Sequence, residues 1–350
     1  MRVVVTGATG NVGTSVLESL VRDEAVDSIL GIARRRPALS LPKVEWVAAD
    51  VAQTSLVELF EGADAVVHLA WLIQPSHDRE ALRATNVGGS ARVFDAVARA
   101  HVPALVYASS VGAYSPGPKD RAVDESWPTG GIPSSFYAQD KAAVESLLDE
   151  FEVSRPSVRV VRLRPGLIFK LESGTEIRRL FAGPLVPRAL FSRGALPFVP
   201  ATRRLRFQAV HAEDAAEAYR LAVVGSASGA FNIAAQPVID PKLFAQILDA
   251  RPIRVPASAL RALASVSWRL RLQPTPPGWI DLALAVPIMD AAKARRELGW
   301  SPRLRADEAL MELLEGMRNG SGAPTPPLDP AASGPLRAAE FRTRIGGRAL

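Results

Sequence analysis

The sequence predicts an α/β protein whose first half is a doubly wound parallel sheet, followed by a smaller C-terminal region. Two observations carry this. Short apolar runs alternate with longer amphipathic stretches over residues 1–168, the pattern of strands buried on both faces beneath helices. A glycine-rich turn closes the first apolar run and opens the first helical one, as at the start of a βαβ unit.

Taken in order, strands are expected at Arg2–Thr6, Ser28–Ala33, Val44–Ala48, Ala65–Leu69 and Ala104–Ser109. Helices are expected between them at Val12–Arg22, Leu56–Phe60 and Asp78–His101. A helix at Ser134–Phe151 then leads into a strand at Val158–Leu163. From about Phe169 the pattern loosens, and Leu171–Arg206, rich in Pro, Gly and Arg, reads as a long excursion. There follow a helix at Glu213–Val223, a strand at Ala230–Ala234, and helices near Pro241–Leu248, Ser258–Leu270, Ala291–Leu298 and Ala306–Met317. The chain therefore divides at 1–168, 169–318 (with segments returning to the sheet) and 319–350. In the last of these, Asn319–Pro335 is Gly/Pro/Ala/Ser-rich and reads as a mobile tail.

Composition excludes several classes. The chain has 350 residues, 48% hydrophobic and 22% charged, which is ordinary for a globular protein. With 42 basic and 36 acidic residues the net charge is +6. That excess suits anionic ligands, while 6% aromatics and no basic–aromatic stripe argue against nucleic acid. No cysteine is present, so there is no disulfide scaffold, thiolate metal site or cysteine nucleophile. His68, His77, His101 and His211 are scattered, and no metal site is expected. No stretch reaches the ~18 apolar residues of a membrane span, and the N-terminal apolar run is too short for a signal peptide. The expected location is the cytoplasm.

The first strand ends in Thr6-Gly7-Ala8-Thr9-Gly10-Asn11-Val12-Gly13. The first glycine allows a tight turn, the second lets the backbone approach a pyrophosphate, and the third lets the helix pack on the sheet. The helix N-terminus adds amide donors and positive potential. Gly7, Thr9, Gly10, Asn11, Val12 and Gly13 are thus the expected phosphate cradle of a Rossmann domain. The second strand ends in Arg34-Arg35-Arg36 with no acid. A carboxylate there would hold ribose hydroxyls, whereas Arg34 and Arg35 can grip a 2′-phosphate, which favours NADP over NAD.

Tyr137 and Lys141 are four residues apart on an expected helix and face one side. A phenol ionises near pH ~10, so a nearby ammonium and an oxidised nicotinamide ring are expected to favour the phenolate. Ser109 and Ser110 stand at the carboxyl end of the fifth strand, the edge where such sheets bind ligands. A hydroxyl there can hydrogen-bond a substrate oxygen while the tyrosine moves the proton.

Together the glycine turn, the strand-end serine and the Tyr137–Lys141 pair resemble the extended short-chain dehydrogenase/reductases, the NAD-dependent epimerase/dehydratase group, over Met1–Met317. The resemblance implies an NAD(P) cofactor and a C-terminal substrate-binding region. It implies that Asp50 and Val51 contact adenine, and that Leu69, Ala70 and Trp71 lie beside the cofactor. Asn86, in Asn86-Val87-Gly88-Gly89-Ser90, belongs to the family's N-V-x-G-T motif, and Pro165, Gly166 and Leu167 lie near the nicotinamide. His211–Ala216 and Ala291–Trp300 resemble two later family signatures. Carried over by motif, Ser110 is the active-site serine, four residues before Tyr114, with Ser115 replacing the usual glycine. Tyr137 becomes the acid/base, and Lys141 tunes it and binds the nicotinamide ribose.

The resemblance thins after the sixth strand. Sugar-nucleotide enzymes of the family show R-x-x-N-x-Y-G-P, and here the chain reads Arg164-Pro165-Gly166-Leu167-Ile168-Phe169-Lys170. The dehydratase Glu is replaced by the run Val111-Gly112-Ala113. The favoured reading is an NAD(P)-dependent oxidoreductase moving hydride at a carbonyl or secondary alcohol of a small molecule. The alternatives are a sugar epimerase that retains its cofactor and a non-catalytic NAD(P) sensor. The apolar and basic segment Ile177–Phe207 is open to three readings: a pocket wall, a membrane-facing surface, or a lid with solvated arginines. The resemblance also implies a homodimer through Asp78–His101 and Ser134–Phe151.

Overall fold

Val3, Val4 and Val5 are wholly buried in the computed structural model, which describes residues 1–73, 78–183 and 186–331. β-Branched residues buried on both faces belong to a central parallel strand. The chain runs β1 (Arg2–Thr6), α1 (Asn11–Val21), β2 (Ser28–Ala33), β3 (Val44–Ala48), α2 (Val57–Phe60), β4 (Ala65–His68), α3 (Arg79–Arg83), α4 (Gly89–Arg99) and β5 (Ala104–Ala108). It continues through β6 (Ala122–Val123), α5 (Phe136–Ser154), β7 (Arg159–Pro165), β8 (Leu167–Phe169), α6 (Gly174–Ile177), β9 (Phe198–Ala201), β10 (Ala209–His211), α7 (Ala212–Val224) and β11 (Gly229–Ile233). The last elements are α8 (Pro241–Leu248), β12 (Arg251–Arg254), α9 (Ala257–Arg269), α10 (Gly278–Ala285), β13 (Ile288–Met289) and α11 (Ala306–Asn319).

Seven strands form one parallel sheet in the order β11-β7-β5-β4-β1-β2-β3. From β1 the chain winds outward one way through β2 and β3, then the other way from β4. The crevice between β1 and β4 is therefore the switch point where such sheets bind ligands. One face is covered by α1 and α7, with Val16, Leu17, Leu20, Ala218, Tyr219 and the wholly buried Trp300 in its core. The other is covered by α4 and α5, through Val93, Phe94, Val97, Val144 and Leu148. A separate core joins Phe169, Ala209, Ile239 and Ile247 to Leu310, Leu313 and Met317 of α11.

The strand expected at Ala230–Ala234 is β11, and it returns to the sheet beside β7, Phe231 opposite Leu163. The single helix expected over Asp78–His101 is broken by a π-turn at Ala84–Gly88. Asn86 within that turn bonds the backbone of Leu72 twice, through Oδ1 at 2.8 Å and Nδ2 at 3.1 Å. The helix thus gives up its regular ladder where one side chain must reach the loop after β4, as π-turns at functional sites commonly do. The helix expected at Ala291–Leu298 is wound from Ala292 on, its residues Ala294–Leu298 again as a π-turn.

The tail expected from residue 319 begins as packed chain. Leu328 is wholly buried, and the Thr325 hydroxyl donates to Thr9 O at 2.9 Å. Pro, Gly and Ser remove regular structure from a segment without removing its capacity to pack, which composition alone does not reveal. Residues 332–350 of that tail, and Pro184 and Leu185 of the excursion, lie outside the described residues. Among the described residues no helix is long and apolar enough to cross a membrane, and no group of three or more side chains is placed to hold a metal ion.

Candidate active site

The turn after β1 meets the chain after β4 at the switch point. Gly7 has φ +71°, and a Cβ on it would lie 2.6 Å from Ala70 N and 2.7 Å from Leu69 C. A Cβ on Gly13 would lie 2.4 Å from Gly7 O. Both positions need glycine. Gly10 is different: a Cβ there would meet nothing nearer than Gly7 O at 3.5 Å, so its outer side is open. Gly10 caps α1 with no side-chain hydrogen bond, and the first-turn amides of Asn11, Val12 and Gly13 have no intrahelical acceptor. Asn11 Nδ2 donates to Ile168 O at 3.1 Å, while its Oδ1 is buried without a partner. Open backbone and unused amides fit the phosphates of a dinucleotide, and the orphaned Asn11 Oδ1 can accept from one of its hydroxyls.

The remaining expected cofactor contacts divide. Leu69 and Ala70 lie against the turn at Gly7, and Trp71 meets Lys141 and Tyr137 instead. Asp50 is turned into its own loop, its Oδ1 accepting from Ala52 N at 2.9 Å, and Val51 packs under Gly89. Arg34 and Arg35 are exposed beyond the end of β2. Pro165 ends β7, and Gly166 gives way to Leu167 in β8, with Gly166 N donating to Ile233 O at 3.0 Å. Asn86 acts on the loop through Leu72, which places it as a support for the crevice.

Ser110, Tyr137 and Lys141 come together at the carboxyl end of β5. Ser110 caps a short turn, its Oγ accepting from Gly112 N at 3.0 Å, and it is hydrogen-bonded to Tyr137. Burial pushes the Tyr137 phenol up to about 12, with the Ser110 bond as the opposing influence. The expected lowering of this phenol by Lys141 does not arise from the chain's own groups. Lys141 Nζ donates to Ala108 O at 2.6 Å and lies 3.5 Å from the centre of the Trp71 ring, whereas the Tyr137 ring centre is 6.0 Å away. Burial lowers the lysine to about 7, against the pull of Glu145 and then Asp140.

The tyrosine ring is held by neighbours that sequence reading did not find. Trp279 of α10 lies against it, ring centres 5.0 Å apart, and Phe181 meets the other side of Trp279 edge-on at 4.9 Å. Trp71 meets Tyr137 edge-on at 6.1 Å. Nothing in local sequence announces Trp279: it is more than a hundred residues from Tyr137, on a helix apolar around most of its circumference. Gly112 completes the enclosure, since a Cβ on it would lie 2.8 Å from Tyr137 Cε1. With the ring hemmed in, Gly112→Ala is expected to shift it and to lower turnover by about tenfold to a hundredfold. Dinucleotide affinity, measured by fluorescence titration, should stay unchanged; turnover that also stays unchanged would show that the ring has room to move.

Behind these residues is a buried ionic group. Glu145, one turn beyond Lys141, accepts from Arg164 Nε and Nη2, both at 2.9 Å, from Arg162 Nη1 at 3.0 Å, and from Ser109 Oγ at 2.5 Å. Ser109 therefore belongs to this support, which leaves Ser110 as the hydroxyl beside Tyr137. The i, i+4 spacing from Lys141 was the available signal for Glu145.

A cavity of about 140 Å³ adjoins Tyr137, walled by Leu72, Phe136, Trp268, Pro277 and Trp279 with Arg79 at its edge.

The model of the NAD dependent epimerase/dehydratase family matches residues 3–234. An uncharacterized protein of Mycobacterium tuberculosis is 25% identical over 325 residues, covering 92% of this chain. The chain spans only 31% of that protein's length. L-arabinose 1-dehydrogenase (NAD(P)(+)) of Haloferax volcanii is 31% identical over 188 residues, 50% of this chain and 70% of that enzyme. The solved structure of Thermus thermophilus UDP-glucose 4-epimerase in complex with NAD shares the fold, with TM-score 0.66 at 21% identity, covering 91% of this chain and 99% of that one.

Proposed function

The chain belongs to the NAD dependent epimerase/dehydratase family, and from that premise we propose that it is an NAD(P)-dependent oxidoreductase acting at a carbonyl or secondary alcohol of a largely apolar small molecule. The observation that carries this is Tyr137, with Ser110 as its hydrogen-bond partner, on the wall of a mostly apolar cavity. The cation at its edge, Arg79, is stacked over Phe136 at 4.2 Å, an arrangement unlike a diphosphate clamp. The identity to a dehydrogenase of the family points the same way.

The dinucleotide, when bound, supplies or removes the hydride. Ser110 orients the substrate oxygen by hydrogen bond, and Tyr137 gives that oxygen its proton or takes it away. A phenol held protonated by burial suits the reductive direction. Lys141, fixed by Ala108 O and the Trp71 ring, is the residue this reading assigns to the nicotinamide ribose, and Trp279 keeps water from the phenol.

NADP is the cofactor this reading favours, because Arg34 and Arg35 are exposed at the end of β2 with no carboxylate beside them in sequence. Titration with NADPH and NADH, followed by nicotinamide fluorescence, is the test. NADPH should bind more tightly, and Arg34→Asp/Arg35→Asp should weaken it by at least about tenfold while barely changing NADH, since charge-assisted bonds are lost. Dinucleotide retained through purification, or a preference for NADH, would instead favour an epimerase that recycles its own cofactor. Failure to bind either would overturn the reading.

A homodimer through the outer sides of α4 and α5 accompanies it. Sedimentation at micromolar concentration should show the dimer; a monomer there would remove it.

A further inference from the structure

Two stretches of the chain contain no carboxylate at all: residues 177–212 and residues 250–280. The first carries Arg178, Arg179, Arg188, Arg193, Arg203, Arg204 and Arg206, and the second Arg251, Arg254, Arg261, Arg269 and Arg271. The fold brings them together, because β9 pairs with β12, Phe198 opposite Arg251 and Pro200 opposite Ile253. In this ladder Phe198, Pro200, Arg251 and Ile253 are all exposed, whereas Val199 points into the core.

Two residues beyond β12 begins α9, on which no side chain is buried. Its positions Ala259, Leu263, Val266 and Leu270 recur at helical spacing and form one stripe. Leu263 is 68% exposed, Val266 55% and Leu270 64%. Arg269 flanks the stripe, and Arg271 and Leu272 follow it, all exposed. Arg261 is the exception among these cations, paired with Asp281 of α10 at 2.9 Å. Opposite the stripe, Trp268 lines the cavity beside Tyr137. An ordinary surface helix turns its apolar side inward and its charges outward; α9 is apolar on both sides, with arginines at its margin. A helix with leucines outward and arginines flanking them fits the boundary between lipid headgroups and acyl chains, and elements that carry arginines and no carboxylate of their own select anionic headgroups.

We propose that the face made by β9, β12 and α9 docks on an anionic lipid bilayer. Leu263, Val266, Leu270 and Leu272 enter the headgroup–acyl boundary, and Arg251, Arg254, Arg269 and Arg271 meet the phosphates. The enzyme thereby holds the cavity behind Trp268 next to a reservoir of apolar molecules.

Co-sedimentation of the full chain with vesicles tests this without any turnover, so its failure leaves the catalytic reading intact. The chain should partition onto phosphatidylcholine–phosphatidylglycerol vesicles, weakly onto phosphatidylcholine alone, and less as salt is raised. Arg269→Glu/Arg271→Glu should reduce that partition by at least about tenfold, and Leu263→Ser/Val266→Ser/Leu270→Ser by a similar factor. Both variants alter only exposed side chains and should bind dinucleotide as the native chain does. Absence of binding to the anionic vesicles at low salt, or binding that the variants and added salt leave unchanged, would overturn the proposal. So would a dimer that the leucine variant converts to monomers, which would make this face a contact between copies of the chain.

Discussion

Tyr137→Phe is expected to lower turnover by about 10²- to 10⁴-fold, the range that a positioned acid/base contributes, while dinucleotide affinity stays within error. The phenol hydroxyl is the group lost; the ring remains to fill the space between Trp71 and Trp279. The pH dependence follows from the same site. Burial holds Tyr137 near 12, so it is protonated throughout the neutral range and the reductive rate should be level there. The oxidative direction needs the phenolate, and its rate should climb with pH. Lys141, lowered by burial to about 7, gains its proton as pH falls through that value. Its charge, 6.0 Å from the ring centre, contributes nothing to the Tyr137 phenol, so Lys141→Met should leave the rise of the oxidative rate with pH unchanged. Stopped-flow rates in both directions from pH 6 up to the ordinary phenol value of about 10 provide the check. Turnover retained in Tyr137→Phe would remove this residue from the chemistry and revive a sensing role.

Glu145→Ala should be the most destabilising change near the site, by about 3–5 kcal/mol, because it strands buried guanidinium groups without a partner. Glu145 is wholly buried, and Arg162 and Arg164 are each nearly so. Arg164 is held further by Tyr114 OH at 3.1 Å and Glu125 O at 2.9 Å, and Tyr114 OH donates to Asn232 Oδ1 at 2.7 Å. The network thus joins β5, α5, β7 and β11, and fixes the strand end and the helix that carry Ser110 and Lys141. Burial alone would raise the Glu145 carboxyl; the bidentate Arg164 bond, with Ser109 and Arg162, outweighs it and holds the group at about 2. A carboxyl lowered from 4.5 to about 2 contributes stability that is fully present above the higher value. That contribution, roughly 3 kcal/mol, is lost as pH falls towards the lower value. Urea unfolding across this acid range should show the native chain weakening and Glu145→Ala already weak at neutral pH. A loss below about 1 kcal/mol at neutral pH would mean that the arginines find water or other partners.

The strands β1, β2 and β3 match their expected bounds, and the glycine turn lies where the pattern places it. Both signals are local: a buried parallel strand must be apolar on both faces, and a turn with φ > 0 packed against a neighbouring backbone must be glycine. The short strands β6, β8, β9, β10, β12 and β13 were illegible, because two to four residues are too few to display a period. α10 was illegible for a different reason, since its Trp279, Ile280, Leu282 and Leu284 leave little polar face to define an amphipathic helix. The π-turn at Ala84–Gly88 depends on a bond from Asn86 to a loop fourteen residues away, which no helical pattern encodes.

The sheet, the glycine turn after β1 and the trio Ser110, Tyr137 and Lys141 were legible in the sequence, because each rests on residue types whose geometry is set within a few positions. Only the tertiary structure decided the environment of that trio. It set Lys141 against Trp71 and Ala108 O, closed Trp279 over the phenol, and reserved Ser109 for Glu145. It also raised Tyr137 where proximity to a lysine in sequence suggested lowering. Proton affinities respond to burial and to groups a few ångströms away, and those groups come from β4, β5, α5 and α10, whose meeting is a property of the packed chain.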